Sequence, residues 1–274
     1  MRRRDGLLTF FGLTFVITWI TVGLFLVVPS VMESIAGPMT QRNPFFFLAV
    51  YAPMLTALLL TARLEGRAGL RDLLGRAGKW RVRWVWYLVP LVLIPIIDIG
   101  SDQVRVLVTH TPTQVPWSYW PHAFLAAPLA LFTDAGPLGE ELGWRGFALP
   151  RLLRRFSPLA ASLILGVIWS LWHLPAFFLS QLSQAKLSLP IFIVAGMSLS
   201  VLMTWVYQHT GSVLVAGILM HLFSNLQAGD FSWYAAVAAV VAIGVVVATR
   251  ARLGADAPDP VRRSALTPIE EVSI

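Results

Sequence analysis

The chain contains no cysteine in its 274 residues. Disulfide bonds, thiolate metal ligands and a cysteine nucleophile are therefore excluded. Charged residues are also scarce, at 13% of the composition, whereas hydrophobic residues make up 57%, more than a soluble domain contains. The alternating pattern of a transmembrane barrel is missing as well. These absences point to a polytopic helical membrane protein.

Several apolar runs approach the roughly 20 residues that a helix needs to cross the bilayer core. We predict an all-α, polytopic transmembrane helical bundle with about eight spans and a cytoplasmic amphipathic helix. The first run is too long for the apolar core of a secretory signal, so we expect an uncleaved span. The predicted spans cover about residues 7–28, 45–62, 85–99, a stretch that starts near 122, and residues 157–179, 189–207, 213–225 and 231–248.

We interpret residues 1–250 as a single transmembrane domain, because no internal repeat and no low-complexity tract divides them. The part that carries the motifs described below covers about residues 70–225. Residues 251–274 are polar and contain proline, so we predict a disordered cytoplasmic tail.

The basic residues are distributed very unevenly between the two sides that eight spans create. One side holds only Arg42, Arg105 and Lys186, while the other side holds the remaining arginines and lysines. The positive-inside rule then places both termini in the cytoplasm of a multi-pass protein in the cell (inner) membrane. Because topology accounts for the net charge of +7, we infer a lipid bilayer and no nucleic acid as the partner.

A basic segment, RLEGRAGLRDLLGRAGKWRVRW at 63–84, separates the second and third spans. Its leucines and Trp80 have helical spacing, which indicates an amphipathic helix that lies among the lipid headgroups. A solvated basic loop is the alternative that the sequence leaves open.

The stretch GPLGEELGWRGFALPRL at 136–152 places Glu140, Glu141 and Arg145 in a mostly apolar chain. Charged side chains at membrane depth are costly and usually face a polar cavity or one another, so they are functional candidates. Glu141 and Arg145 are four residues apart and can form an ion pair on one helix. Glu140 points about 100° away from Glu141 and is left to face another partner.

Polar residues also interrupt two later apolar helices, at His173 in the fifth span and at His221 and Asn225 in the seventh. A single histidine in an apolar helix is more often a satisfied packing residue than a catalyst. Burying such groups unpaired costs several kcal/mol each, so three spans with polar groups predict one shared cavity. A shielded carboxylate suits a general base near neutral pH, and an amide or imidazole N–H can stabilise an oxyanion.

At these residues the chain resembles the family of type II CAAX prenyl proteases and bacteriocin-processing membrane proteases (the CPBP or Abi family). EELGWR at 140–145 matches the EExxxR motif of that family, and His173 and HLFSN at 221–225 match its second and third motifs. The second motif usually reads FxxxH, whereas this chain has Trp169 at the aromatic position. The aromatic wall is kept, but the shape of the pocket is expected to differ.

The resemblance implies an intramembrane glutamate-type endopeptidase that cuts near the cytoplasmic leaflet. Glu140 and His173 would activate water, and His221 and Asn225 would form the oxyanion hole. The supporting residues would be Glu141, Arg145 and Trp169. The substrate would be a peptide or a membrane protein, with or without an attached lipid.

Two questions stay open from the sequence. Glu140, His173 and His221 could in principle hold zinc, but the chain has no HExxH motif, so we favour no metal cofactor. The alternative function is a non-catalytic membrane immunity or scaffold protein of the same fold. A transporter would need repeated halves or paired broken helices, and the sequence has neither.

Overall fold

The computed structural model describes residues 5–254, and within that range the chain is helical with no β-strand. The predicted all-α class is confirmed. Several α-helices continue into tighter or wider helical turns rather than ending in loops. In chain order the α-helices are α1 (Leu7–Val27), α2 (Pro29–Ala36), α3 (Pro44–Ala77), α4 (Ile94–Thr109), α5 (Tyr119–Thr133), α6 (Ala135–Glu141), α7 (Leu149–Leu153), α8 (Pro158–Trp172), α9 (Leu189–Thr210), α10 (Met220–Asn225) and α11 (Phe231–Ala248).

Six helical segments are long and apolar enough to cross a membrane. Two of the predicted spans fall instead on shorter helices: the fourth on α5 and α6, and the seventh on Leu214–Asn225. At 1.5 Å per residue, twelve residues of helix reach about 18 Å, less than the ~30 Å of the bilayer core. The six long segments are Leu7–Val27, Pro44–Ala77, Trp84–Thr109, Pro158–Phe178, Leu189–Thr210 and Phe231–Ala248.

Contacts between distant parts of the chain define one end of the bundle. Arg151 forms an ion pair with Glu65, and its Nε donates to the backbone oxygen of Asp5. The hydroxyl of Ser212 donates to the backbone oxygen of Lys79 at 2.6 Å. We call this end the basic end, because it carries most of the arginines and lysines of the described chain. It consists of residues 5–6, 63–83, 151–157, 211–213 and 249–254.

The remaining connections meet at the opposite end. The hydroxyl of Tyr119, at the start of α5, donates to the backbone oxygen of Leu226 at 2.5 Å. Leu182 packs in one apolar cluster with Val22 and Phe25, near the end of α1. The opposite end consists of residues 28–43, 110–118, 179–188 and 226–230.

These contacts show how often the chain passes through the bundle. Residues 119–153 lead from the opposite end to the basic end, and residues 214–225 lead back from the basic end toward the opposite end. Both passages add to the six long helices, so the prediction of about eight spans is compatible with the structure. The two short passages carry the first and third motifs, whereas His173 of the second motif lies on the long segment Pro158–Phe178.

The basic segment is largely helical. It continues α3 as far as Ala77, with a break at Gly66, where φ is 66° and ψ is −155°. Leu73 is buried against the bundle, whereas Leu74 and Trp80 are exposed. This favours the amphipathic helix over the loop alternative for the residues before Gly78.

Two wide helical turns, in which each hydrogen bond spans five residues, adjoin the motif residues. Leu142–Ala148 follows Glu141, and Leu214–Leu219 precedes His221. Such wide turns are rare in proteins, and those that occur are often found at functional sites. They rotate the following side chains relative to a regular helix, so the faces of these segments do not follow from a period of 3.6.

The predicted tail, residues 251–274, lies outside the described residues from position 255 onward. The basic residues Arg2, Arg3 and Arg4 also lie outside them.

Candidate active site

A cavity of about 470 Å³ penetrates the bundle, a volume in the range of ligand pockets. Its wall contains aromatic and aliphatic side chains, and none of the described residues that line it is a lysine or an arginine. Its polar wall brings together side chains from separate passages through the bundle. These are Asp134, Glu140, Trp169, His173, His221 and Asn225.

The cavity extends from the motif residues to the opposite end, where Gln41, Ser183 and Gln184 line it. Glu140 therefore lies at this cavity and not at the basic end of the fourth passage. The physical reason is that this passage is broken into α5, α6 and the wide turn Leu142–Ala148. Glu140 consequently lies inside the bundle, before the part of the passage that packs at the basic end.

Glu140 is almost completely buried, with 3% of its surface exposed. Its Oε2 accepts a hydrogen bond from the indole N–H of Trp169 at 2.5 Å. Its Oε1 lies 3.9 Å from Nε2 of His173. One carboxylate oxygen is therefore held by the protein, and the other faces a histidine across a short gap.

His173 directly follows α8, and its ring is oriented by the last turn of that helix. Nδ1 lies 2.8 Å from the backbone oxygen of Trp169. A carbonyl oxygen only accepts hydrogen bonds, so Nδ1 carries the proton and Nε2 presents a lone pair to Glu140 in the neutral ring. The gap of 3.9 Å is too long for a direct hydrogen bond. A water molecule at about 2.8 Å from both atoms fits beside it.

Glu141 connects its own helix to the segment that carries the third motif. Its Oε1 accepts from Arg145 at 2.9 Å, and both side chains are fully buried. The same oxygen lies 2.8 Å from Nδ1 of His221. The ion pair expected from the spacing is present, and the contact with His221 adds a second partner that the sequence did not predict.

The contact with Glu141 determines which hydrogen bonds remain to His221. Because Arg145 donates to the same carboxylate, Glu141 acts as an acceptor and Nδ1 of His221 carries a proton. Nε2 can then donate to an oxyanion only when the ring carries both protons, and in the neutral ring it accepts. A methyl group at Gly136 would lie 3.0 Å from this Nε2 and 3.3 Å from Oε1 of Glu140, so glycine lets α6 pass close to both groups.

Asn225 contacts Asp134, which no motif in the sequence singles out. Its Nδ2 donates to Oδ2 of Asp134 at 2.7 Å. Asp134 also caps α6, because its Oδ1 accepts from the backbone N–H of Gly136 at 3.2 Å. An aspartate before a helix is a recognisable cap signal, but nothing local indicates its contact with Asn225. One amide hydrogen of Asn225 is thus committed, and the second can serve a ligand.

A zinc site needs three or four ligand side chains that converge on one point. In the part of the chain that the structure describes, no group of three or more histidine, aspartate or glutamate side chains is placed to hold a metal. The absence of a metal requirement remains a prediction.

Residues 117–227 match the family model described as type II CAAX prenyl endopeptidase Rce1-like. The resemblance is confirmed. The Rce1-like segment runs from just before α5 to just after α10, so it contains Glu140, His173, His221 and Asn225. The basic segment at 63–84 lies outside this match.

A curated relative, CAAX prenyl protease 2 of Methanococcus maripaludis, is 31% identical over 94 residues. This match covers 32% of the chain and 35% of the relative. The chain thus spans about a third of the length of the relative. The similarity is concentrated in a segment, as it is for the Rce1-like match.

Proposed function

We propose that the chain is a membrane-embedded endopeptidase in which Glu140 and His173 activate a water molecule. The observation that carries this proposal is the buried carboxylate of Glu140, with Oε2 bound to Trp169 and Oε1 at 3.9 Å from Nε2 of His173. A carboxylate and an imidazole that share one water molecule are suited to general-base catalysis. The Rce1-like match supports the same class of reaction.

In this reaction Glu140 removes a proton from the water molecule, and the water oxygen forms a bond with the carbonyl carbon of the peptide. The electrons of the C=O bond move to the oxygen, which gives a tetrahedral oxyanion. Collapse of this intermediate breaks the C–N bond, and the proton on Glu140 passes to the leaving nitrogen. Nε2 of His173 accepts a hydrogen bond from the other O–H of the water and so fixes its orientation; that hydrogen stays on the oxygen. The products are a carboxylic acid and an amine.

In this proposal two groups stabilise the oxyanion. The second amide hydrogen of Asn225 is not used by Asp134, and Nε2–H of a doubly protonated His221 is the other donor. Removing one donor to a developing oxyanion typically costs 10²- to 10³-fold in rate.

The apolar part of the wall supports a substrate that is a peptide or a membrane protein with apolar groups at the cut. Phe46, Phe192 and Phe231 line the cavity together with the polar residues. Such a wall accommodates an apolar side chain or an attached lipid equally well, so substrate lipidation is a separate question.

The proposal is tested with the purified protein in lipid vesicles and a mixture of peptides of varied sequence. We expect wild type to generate new peptide termini, detected by mass spectrometry, and Glu140→Ala to generate none. A folded wild-type protein that cuts no peptide and no membrane protein would favour the non-catalytic immunity or scaffold function instead.

A further inference from the structure

Exposed charge distinguishes the two ends of the bundle. The basic end carries exposed arginines on α3 and after α7, among them Arg67, Arg71 and Arg154. Of the three basic residues at or near the opposite end, Arg105 is 5% exposed and is paired with Asp102 at 2.7 Å. The positive-inside rule counts the basic residues in short connections, and on that count the basic end faces the cytoplasm.

The cavity is built from the parts of the helices that lie near the opposite end. Phe46, Phe192 and Phe231 belong to the first turns of α3, α9 and α11, and each of these helices begins at the opposite end. Gln41 and Ser183, in the connections of that end, also line it. No described residue of the basic end does.

Between Glu140 and the basic end the bundle is closed by packing. Trp144, Phe147 and Leu149 follow Glu140 along the chain and are fully buried. Below them, Arg76 donates to the backbone oxygen of Gly146 at 2.9 Å. A peptide that entered from the basic end would have to displace this layer, whereas no such layer separates Glu140 from Ser183.

We infer that the cavity opens to the extracytoplasmic face and that its substrate is a peptide segment presented from that face. The direction of opening follows from charge and packing. That the peptide segment is cleaved rests on the proposed function. An exported or membrane-anchored polypeptide with an apolar segment fits this access. A lipidated protein that remains in the cytoplasm does not.

The absence of cysteine allows a direct test with single-cysteine variants. Ser157→Cys introduces a cysteine at the basic end, before α8, and Ser183→Cys introduces one at the opposite end, after α8. Both positions are exposed. In intact cells, a membrane-impermeant maleimide should label Ser183→Cys, and Ser157→Cys should be labelled only after the membrane is permeabilised. The reverse pattern, or labelling of both or of neither in intact cells, would overturn the inference.

A second measurement separates this inference from the proposed function. A bulky impermeant maleimide added outside cells that contain Ser183→Cys should block cleavage at least 10-fold, because it fills the mouth of the cavity, while Ser157→Cys should keep its activity. Full activity of the labelled Ser183→Cys would refute the access route. An enzyme that never cleaves but shows the expected labelling would refute only the proposed function.

Discussion

At the scale of single residues, Trp169 joins the separate parts of the site. Its indole N–H holds Oε2 of Glu140, and the guanidinium carbon of Arg145 lies 4.4 Å from the centre of its ring. Its ring also lies 5.3 Å from the ring of His221. One side chain therefore orients the proposed base and packs against the buried cation that pairs with Glu141.

We expect Trp169→Phe to lower kcat by roughly 10- to 100-fold with little change in KM. The phenyl ring keeps an aromatic surface for Arg145 but loses the N–H that orients Glu140, and hydrogen bonds to charged groups are worth about 1.5–3 kcal/mol. Steady-state cleavage of a peptide that wild type cuts gives both constants.

Trp120→Phe is the matched control for this change. Trp120 is 4% exposed against 6% for Trp169, and its indole N–H also donates to a carboxylate, Oδ2 of Asp98, at 3.2 Å. It does not line the cavity. The positioning role is supported if both variants lose a similar amount of Tm but only Trp169→Phe loses kcat. Equal losses of kcat in the two variants would contradict it.

Asn225→Ala should lower kcat by roughly 10²- to 10³-fold, as the loss of an oxyanion donor does. The folded yield should stay close to that of wild type, because the side chain is exposed and its partner Asp134 also caps α6. Asp134→Asn serves as the comparison, since it keeps the shape of that partner. A normal kcat for Asn225→Ala would remove Asn225 from the mechanism.

The sequence predicts the residues of the site better than it predicts their partners. The four-residue spacing of Glu141 and Arg145 was sufficient to predict their ion pair, because both lie on one helical passage. The contacts of Glu140 with Trp169 and of Asn225 with Asp134 join residues that are 29 and 91 positions apart. No local pattern encodes such pairs, since they depend on how separate helices pack.

At the scale of helices and turns, Glu141 at the end of α6 contacts both Arg145 and His221 of α10. One wide turn follows α6, and the other precedes α10. A methyl group at Gly217, in the second turn, would lie 2.9 Å from Oε2 of Glu141. The two segments are therefore close enough that a side chain at this position would crowd the carboxylate. The geometry of the site depends on this junction.

Arg145→Ala should destabilise the protein by about 3–5 kcal/mol, because it leaves a buried carboxylate without its cation. Activity should fall together with folded yield and Tm. Arg154→Ala is the control, since Arg154 is exposed at the basic end and its loss should change Tm little. Normal Tm and normal activity for Arg145→Ala would show that the ion pair is dispensable.

Long helices were easier to predict than the short elements around the site. The apolar runs located the first residues of α8, α9 and α11 to within one residue. The wide turns and the broken fourth passage give no comparable signal. Their geometry is imposed by packing against neighbouring helices, so the depth of Glu140 could not be read from the sequence.

At the scale of the whole molecule, the segregation of basic residues fits the passages that the contacts define. Reporters fused at positions 182 and 255 should lie on opposite sides of the membrane, with 255 in the cytoplasm. Three passages separate these positions, and the middle one is the short helix Leu214–Asn225. Reporters on the same side would show that this helix does not complete a crossing.

The glutamate mechanism is tested by comparing binding and cleavage by wild type and Glu140→Gln, each with and without a metal chelator. Glutamine keeps the size of the side chain but does not accept a proton as glutamate does. We expect Glu140→Gln to bind peptide normally and to cleave it about 10²- to 10⁴-fold more slowly, while the chelator leaves wild type unchanged. Unchanged cleavage by Glu140→Gln would contradict the glutamate mechanism, and one stoichiometric zinc with reversible loss of activity would contradict the metal-free reaction.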